Sequence, residues 1–146
     1  MRPSDAFYWI GVGFVVLGGL IAAVTSPLDL YKGSWLAAYV VLVCGVCLAA
    51  LGRAQEHLVQ RPVPVRLWWA QFAAWNLGNA LVVTGTMVKS PWVVDAGGVL
   101  LLAVVGSAVW RVRGGVRRGW GWAYALVLAV LAVTVPIGLV LAHLRN

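Results

Sequence analysis

Residues 6–25 read AFYWIGVGFVVLGGLIAAVT and contain no charged side chain. An α-helix rises 1.5 Å per residue, so about 20 apolar residues cover the roughly 30 Å hydrocarbon core of a bilayer. Ser26-Pro27 follows directly and is typical of a helix end, because proline does not continue a helix. The stretch therefore predicts a transmembrane helix from Ala6 to Thr25.

Four further apolar segments have a similar length, and they cover residues 35–54, 67–88, 91–110 and 120–144. Proline-containing breaks separate several of them, at Arg61–Pro64 and at Ser90-Pro91, and a basic, glycine-containing connection precedes the last. The pattern predicts an all-α integral membrane protein, in which residues 1–146 form one bundle of five transmembrane helices.

The composition agrees with a membrane protein. Hydrophobic residues make up 62% of the chain and charged residues only 10%, whereas a soluble domain carries about 25% charged residues. The net charge of +7 is compatible with nucleic-acid binding in general. Here the basic residues stand between apolar runs rather than along one face, so they indicate membrane orientation and not a nucleic-acid partner.

Counting arginine and lysine at alternate ends of the five segments predicts the topology. Eight basic residues fall on one side of the membrane and three on the other, which predicts a cytoplasmic N-terminus and an external C-terminus. The protein is therefore expected in the cell membrane as a multi-pass protein. The first segment could instead be a secretory signal, but the acidic Asp5 and the lack of an A-x-A-like site before Ser26 favour its retention.

The third and fourth segments carry the polar side chains that are predicted to lie within the membrane. The amides among them need hydrogen-bond partners in hydrocarbon, so this face should point into the bundle. It could hold neighbouring helices together, or it could form part of a ligand or ion path. The predicted polar face consists of Gln71, Asn76, Asn79, Thr86 and Asp95.

Two local hypotheses accompany this face. Ala70, Ala74 and Gly78 form a small-xxx-small stripe that predicts close helix packing. Asp95 lies near the outer end of the fourth segment, where a carboxylate must be paired or hydrated. Its candidate partners are Lys32, Lys89 and His143.

Few residues of this chain could bind a metal. Cys44 and Cys47 form a C-x-x-C within an apolar segment, where they share a helix face. Thiolates bind Cu(I) or Zn. A zinc site, however, needs four ligands. His57 and His143 are predicted on opposite sides of the membrane, so one chain cannot ligate a haem through both. Packing and interfacial roles are the alternatives for all four residues. No catalytic motif or paired catalytic carboxylates are present, and the protein is expected not to be an enzyme.

The second and third segments resemble a known family. The residues concerned are Trp35–Tyr39, Gly45, Gly52, the Gln-Arg-Pro at 60–62 and WAQFAAWNLG at 69–78. Over roughly residues 6–113 the chain resembles one helical unit of the haem–copper oxidase subunit I superfamily and its relatives that respond to nitric oxide. The histidines that bind haem and copper in that family are missing here. The resemblance therefore implies a shortened relative without the metal chemistry, or an accessory subunit.

Several functions are compatible with these observations. The first is a non-catalytic accessory subunit or assembly factor of a larger, respiratory-type membrane complex, whose partners are the lipid bilayer and other membrane subunits. The second is a small transporter or channel, a homo-oligomer with a polar path through Asn76, Asn79 and Asp95. The third is haem or copper binding at a subunit interface through His57 or His143 from two chains.

Overall fold

A computed structural model describes residues 2–25, 27, 31–60, 62–112, 122, 124–131 and 133 of the chain. Within these residues the protein is almost entirely helical and contains no β-strand, which confirms the predicted all-α class. The elements in chain order are α1 (Pro3–Thr25), α2 (Tyr31–Tyr39), a π-helical segment (Val40–Cys47), α3 (Leu48–His57), α4 (Val65–Met87) and α5 (Pro91–Val112). Residues 124–131 are also helical and lie within the predicted fifth segment.

Among the described residues, three helices are long and apolar enough to cross a membrane: Pro3–Thr25, Gly33–His57 and Pro91–Arg111. The second of these joins α2, the π-helical segment and α3 without a break. Helix α4 has 23 residues, which is also long enough, but it is not one of the three. The amide side chains of Gln71, Asn76 and Asn79 lower its hydropathy.

The chain divides into two compact units, Met1–Arg53 and Ala54–Asn146. In the first unit, α1 runs antiparallel to the long helix: Phe7 lies against Gly52 at one end of the pair and Thr25 against Gly33 at the other. The buried residues Ser4, Gly11 and Gly18 recur every seven positions along α1. A seven-residue period keeps one line of a helix facing its neighbour.

A reciprocal glycine contact joins the two helices of the first unit. A Cβ on Gly11 would lie 2.7 Å from the carbonyl oxygen of Gly45, and a Cβ on Gly45 would lie 2.9 Å from the carbonyl oxygen of Gly11. Any larger residue at either position would require the backbones to separate. Gly45 belongs to the π-helical segment, so the departure from α-helical winding coincides with this contact.

Arg53 connects the two helices at one end of the first unit. Its guanidinium lies 3.5 Å from a carboxylate oxygen of Asp5 and 4.5 Å from the centre of the Tyr8 ring. Both the ion pair and the cation–π contact join α3 to the first turns of α1.

In the second unit α4 and α5 are antiparallel, and a second reciprocal glycine contact joins them. A Cβ on Gly78 would lie 3.0 Å from the carbonyl oxygen of Gly97, and a Cβ on Gly97 would lie 2.6 Å from that of Gly78. Of the predicted Ala70–Ala74–Gly78 stripe, Gly78 is buried, Ala74 is half-buried and Ala70 is exposed. The buried small residues of α4 are Gly78 and Gly85, seven residues apart.

A tight connection of Val88, Lys89 and Ser90 links α4 to α5. The backbone N–H of Ser90 donates to the carbonyl of Gly85 at 2.8 Å, and Lys89 has a φ of 54°. This is the geometry of a Schellman C-cap, in which a left-handed residue ends the helix. Pro91 then begins α5, a position where its missing N–H leaves no helical bond unmade.

Candidate functional site: a buried row of polar side chains

The described part of the second unit contains a row of three hydrogen-bonded side chains, here called the polar row: Gln55, Gln71 and Ser107. Gln55 Nε2 donates to Gln71 Oε1 at 3.1 Å, and Gln71 Nε2 donates to Ser107 Oγ at 2.7 Å. The hydroxyl of Ser107 in turn donates to the carbonyl of Val104 at 2.7 Å. The row thus joins the last turns of α3 to the middle of α4 and to α5.

Each donor in the polar row is used by the next member, so the row has a direction. Gln55 Oε1 is the acceptor at its head, and it has no hydrogen-bond partner among the described residues. Gln55 is only 2% exposed and Gln71 only 3%. A buried polar atom without a hydrogen-bond partner destabilises the folded protein by about 1–3 kcal/mol. A hydrogen-bond donor that reached Gln55 Oε1 would therefore stabilise the row.

A second unsatisfied group lies one turn along α4. Trp75 is 1% exposed, and its indole Nε1 has no acceptor within the described ranges. Trp75 and Gln71 are four residues apart and therefore share a face of the helix. The hydroxyl of Tyr124, which is 4% exposed, is likewise without a partner in the part of the chain that the structure describes.

The five side chains of the predicted polar face differ in burial. Gln71 and Asn79 are buried, Asn76 and Asp95 are half-buried, and Thr86 is exposed. Asn76 and Asn79 donate to carbonyls of their own helix, those of Phe72 at 2.8 Å and Trp75 at 2.9 Å. The hydroxyl of Thr86 also donates within α4, to the carbonyl of Val82 at 2.7 Å. Gln71 donates to another helix, through its bond to Ser107 of α5.

Two members of the polar row were not predicted from the sequence. Gln55 was placed just beyond the predicted end of the second segment at residue 54, whereas the helix continues to His57. Ser107 is a single serine in an apolar helix, and such a residue more often bonds to its own backbone. A predicted second segment that ended at His57 instead of residue 54 would have included Gln55 in the helix.

The predicted Asp95 pairs stay predictions. Asp95 lies in the second turn of α5 and is half-buried. His143 lies outside the described residues, and so does the side chain of Lys32.

The possible metal ligands lie far apart where the structure describes them. Cys47 and His57 belong to one continuous helix and are ten residues apart, which is about 15 Å along the axis. The His57 side chain is 66% exposed, and its nearest ionic neighbour is Glu56, with 3.7 Å between Nε2 and a carboxylate oxygen. No group of three or more His, Cys, Asp or Glu among the described residues could hold a metal ion. The described part of one chain thus does not bring the two cysteines and His57 together into one metal centre.

The C-x-x-C also has a different geometry from the one expected. Cys44 and Cys47 lie in the π-helical segment, where the first is buried and the second half-buried, and both are free thiols. A π-helix bonds residue i to i+5 and so takes more residues per turn than an α-helix. Three steps therefore cover less of a full turn, and the two thiols diverge more than on the α-helix that the sequence predicted.

Comparisons of the chain with protein-family models, with curated proteins and with solved structures found no match. The oxidase resemblance therefore rests on the sequence motifs alone.

Proposed function

We propose that this protein is a non-catalytic, multi-pass protein of the cell membrane that serves as an accessory subunit or assembly factor of a larger membrane complex. The proposal includes the predicted topology of five spans, with a cytoplasmic N-terminus and an external C-terminus. The oxidase resemblance, if it reflects kinship, would make the complex a respiratory one.

The observation that carries the proposal is the outer face of α1. Within the most apolar stretch of α1, only 17% of the residues are buried in the protein, whereas the share is 39% in each of the other two candidate spans. Gly13 and Gly19 lie on this face, and a Cβ on either would meet nothing within 4 Å. On the inner face, a Cβ added to Gly11 or Gly18 would instead clash with the neighbouring helix.

The two outward glycines of α1 make no close contact with the described residues of the chain. Glycine destabilises a helix interior by about 1 kcal/mol relative to alanine, and Gly11 and Gly18 offset this by allowing close helix packing. Gly13 and Gly19 have no such compensation from the described residues. In membranes, small residues on a helix surface favour the close approach of another helix, so this face suits a neighbouring membrane subunit.

Purification of the tagged full-length protein from native membranes in mild detergent tests the proposal. The wild-type chain should elute with larger membrane proteins in fixed stoichiometry. Gly13→Leu fills the outer face without disturbing the first unit, so it should fold normally and elute without those partners. Ala103→Leu, which places leucine on the exposed side of α5, is the matched control and should retain them. Elution of the wild-type chain alone would contradict the proposal.

A small homo-oligomeric transporter or channel is the second candidate. The buried amide side chains of Gln71 and Asn79 favour it. Polar side chains are rare within membrane helices and often mark the path of a substrate or ion. This function requires a path through Asn76, Asn79 and Asp95. Stable homo-oligomers and flux into liposomes that Asn79→Leu abolishes would establish it in place of the subunit.

A visible spectrum of the same preparation, before and after dithionite, tests haem binding between chains. A Soret band that shifts on reduction and disappears in His57→Ala or His143→Ala would support an interchain haem. A featureless spectrum from folded protein would leave the subunit and the transporter as the two candidates.

A further inference from the structure

The side of α5 that is turned away from α4 is a single narrow stripe of exposed residues, here called the outer stripe. Its positions recur every three or four residues, so they share one helix face. On the opposite side Gly97 contacts α4, and Leu101, halfway along the stripe, is only 3% exposed. The outer stripe consists of Trp92, Ala96, Val99, Ala103, Gly106 and Trp110.

The outer stripe has an exposed tryptophan at each end. Trp92 is 80% exposed and Trp110 is 73% exposed. Trp110 follows Trp92 by 18 residues, which is five full turns of an α-helix, so both residues lie on the same side of α5. The same 18 residues rise about 27 Å along the helix axis. This distance is close to the roughly 30 Å thickness of the hydrocarbon core of a bilayer.

A basic residue lies just outside each tryptophan. Lys89 is exposed and precedes Trp92 by three residues, whereas Arg111 is half-buried and directly follows Trp110. Indoles favour the headgroup layer of a bilayer, and basic side chains near helix ends reach the same layer. Asp95 is half-buried and follows Trp92 by three residues, about 4.5 Å along the axis, so it also lies near that layer. The stripe therefore carries positive charge where lipid phosphates lie and is uncharged in between.

We propose that the outer stripe of α5 is a lipid-facing surface that spans the whole bilayer, with Trp92 in the external headgroup layer and Trp110 in the cytoplasmic one. Leu101 is then level with the centre of the bilayer. Acyl chains contact the small and apolar residues between the tryptophans, and no other subunit covers them. The proposal requires α5 to span the membrane but is independent of the accessory-subunit function.

The pair of tryptophans distinguishes this surface from a docking face. Small residues on a helix also accept another helix, but a protein interface does not require two indoles separated by the thickness of a bilayer. The outer face of α1 differs in this respect. Trp9 is 59% exposed near one end of α1, whereas α1 contains no aromatic residue after Phe14. The two outer faces thus suit different neighbours, a protein for α1 and lipid for α5.

Spin labels along the outer stripe test the proposal in the protein that is purified with its partners and reconstituted in bilayers. Cys44 and Cys47 are replaced by alanine in this background. Collisions with molecular oxygen, which concentrates at the bilayer centre, and with a polar nickel chelate, which is excluded from it, report the depth of each label. Single cysteines are introduced by Ala96→Cys, Val99→Cys, Ala103→Cys and Gly106→Cys.

The depth profile should be symmetrical about Leu101. Positions 99 and 103 are two residues from Leu101, about 3 Å along the axis, and positions 96 and 106 are five residues from it, about 7.5 Å. The ratio of oxygen to nickel collisions should therefore be highest and equal at 99 and 103, and lower and equal at 96 and 106. A profile centred one helical turn or more from Leu101 would overturn the proposal. So would low collision rates with both reagents at 99 and 103, since these would show that protein covers the stripe.

Val16→Cys is the matched control on the outer face of α1, because Val16 is 58% exposed and would be covered by the partner subunit. Its label should collide with oxygen less often in the complex than in the Gly13→Leu background, which lacks the partners. The α5 labels should give the same profile in both backgrounds. Equal accessibility of the Val16 label in both would contradict the accessory-subunit function and leave the lipid-facing stripe supported by its own profile.

A second measurement needs no introduced cysteine. The difference in tryptophan emission between the wild type and Trp92→Phe isolates one indole, and Trp110→Phe isolates the other. In bilayers of brominated lipids, each difference should be quenched more strongly by bromine near the headgroup than by bromine at the chain end. Stronger quenching by the chain-end bromine, or no quenching by either lipid, would overturn the proposal.

Discussion

At the scale of single residues, the space around each glycine decides its role. Gly11 and Gly13 are two positions apart on α1, and the sequence alone does not distinguish them. A Cβ on Gly11 would lie within 2.9 Å of three atoms of the neighbouring helix, whereas a Cβ on Gly13 would meet nothing within 4 Å. The two glycines therefore form a matched pair.

We predict that Gly11→Leu lowers the free energy of unfolding by about 1–3 kcal/mol, or prevents folding, because overpacking separates helices that are in backbone contact. Gly13→Leu should change it by less than about 0.5 kcal/mol. Thermal unfolding of both variants in the same detergent measures the difference. Similar melting temperatures for the two variants would mean that the close approach at Gly11 does not occur.

The polar row is a second feature at the scale of residues. Gln71 is its central member, since it accepts from Gln55 and donates to Ser107. Hydrogen bonds between membrane helices contribute on average about 0.6 kcal/mol, with a maximum near 1.7 kcal/mol.

We predict that Gln71→Leu, which removes both bonds, lowers the free energy of unfolding by about 1 kcal/mol. Asn76→Leu is the control, because the described bond of Asn76 stays within its own helix, and it should have no destabilising effect. Reversible unfolding of the reconstituted protein by steric trapping is the measurement. An equal effect of the two substitutions would exclude a stabilising polar row.

At the scale of helices, each unit contains an antiparallel pair with a reciprocal glycine contact, Gly11 with Gly45 in the first and Gly78 with Gly97 in the second. Lipid tails are as apolar as leucine, so the hydrophobic effect does not press membrane helices together. Close packing along the small residues replaces it. Helix α5 offers a direct comparison, since Gly97 faces α4 and Gly106 faces outward.

We predict that Gly97→Ala destabilises the α4–α5 pair, because the new methyl group would lie 2.6 Å from the carbonyl oxygen of Gly78. The expected loss is about 1–3 kcal/mol. Gly106→Ala should be neutral or stabilise by up to about 1 kcal/mol, since alanine favours the helix more than glycine. Thermal melting of the two variants, each against the wild type, tests this. A destabilised Gly106→Ala would instead indicate a close neighbour on the outer face of α5.

At the scale of the whole molecule, the number of membrane crossings is the main expectation still to be tested. Helix α4 decides it, because α4 is long enough to span but is too polar to be one of the three apolar helices. If α4 crosses the membrane, its two ends face opposite compartments.

We predict that Arg66→Cys is labelled by a membrane-impermeant maleimide only after permeabilisation, and Lys89→Cys in intact cells. Asn146→Cys should also react in intact cells if there are five spans. Cys44 and Cys47 are replaced by alanine in this background. Labelling of Arg66→Cys and Lys89→Cys from the same side would show that α4 does not cross.

The sequence by itself determined the helical class and the membrane as the surroundings of the protein. Both depend on local properties: uncharged runs of about 20 residues and prolines that end helices. These predictions therefore needed no knowledge of which helices are neighbours. The predicted segments 6–25, 35–54, 67–88 and 91–110 differ from the observed helices by a few residues at their ends.

Only the tertiary structure decided which polar and small residues meet. The sequence predicted a polar face that includes Asn76, Asn79 and Thr86, but a sequence pattern does not show which residues of another helix lie opposite such a face. The register of α4 against α5 places Ser107 beside Gln71, and the extension of α3 to His57 adds Gln55. The polar row contains residues that are distant in the chain, since Ser107 lies 52 positions after Gln55 and 36 positions after Gln71. Such contacts arise from helix packing, which no local pattern contains.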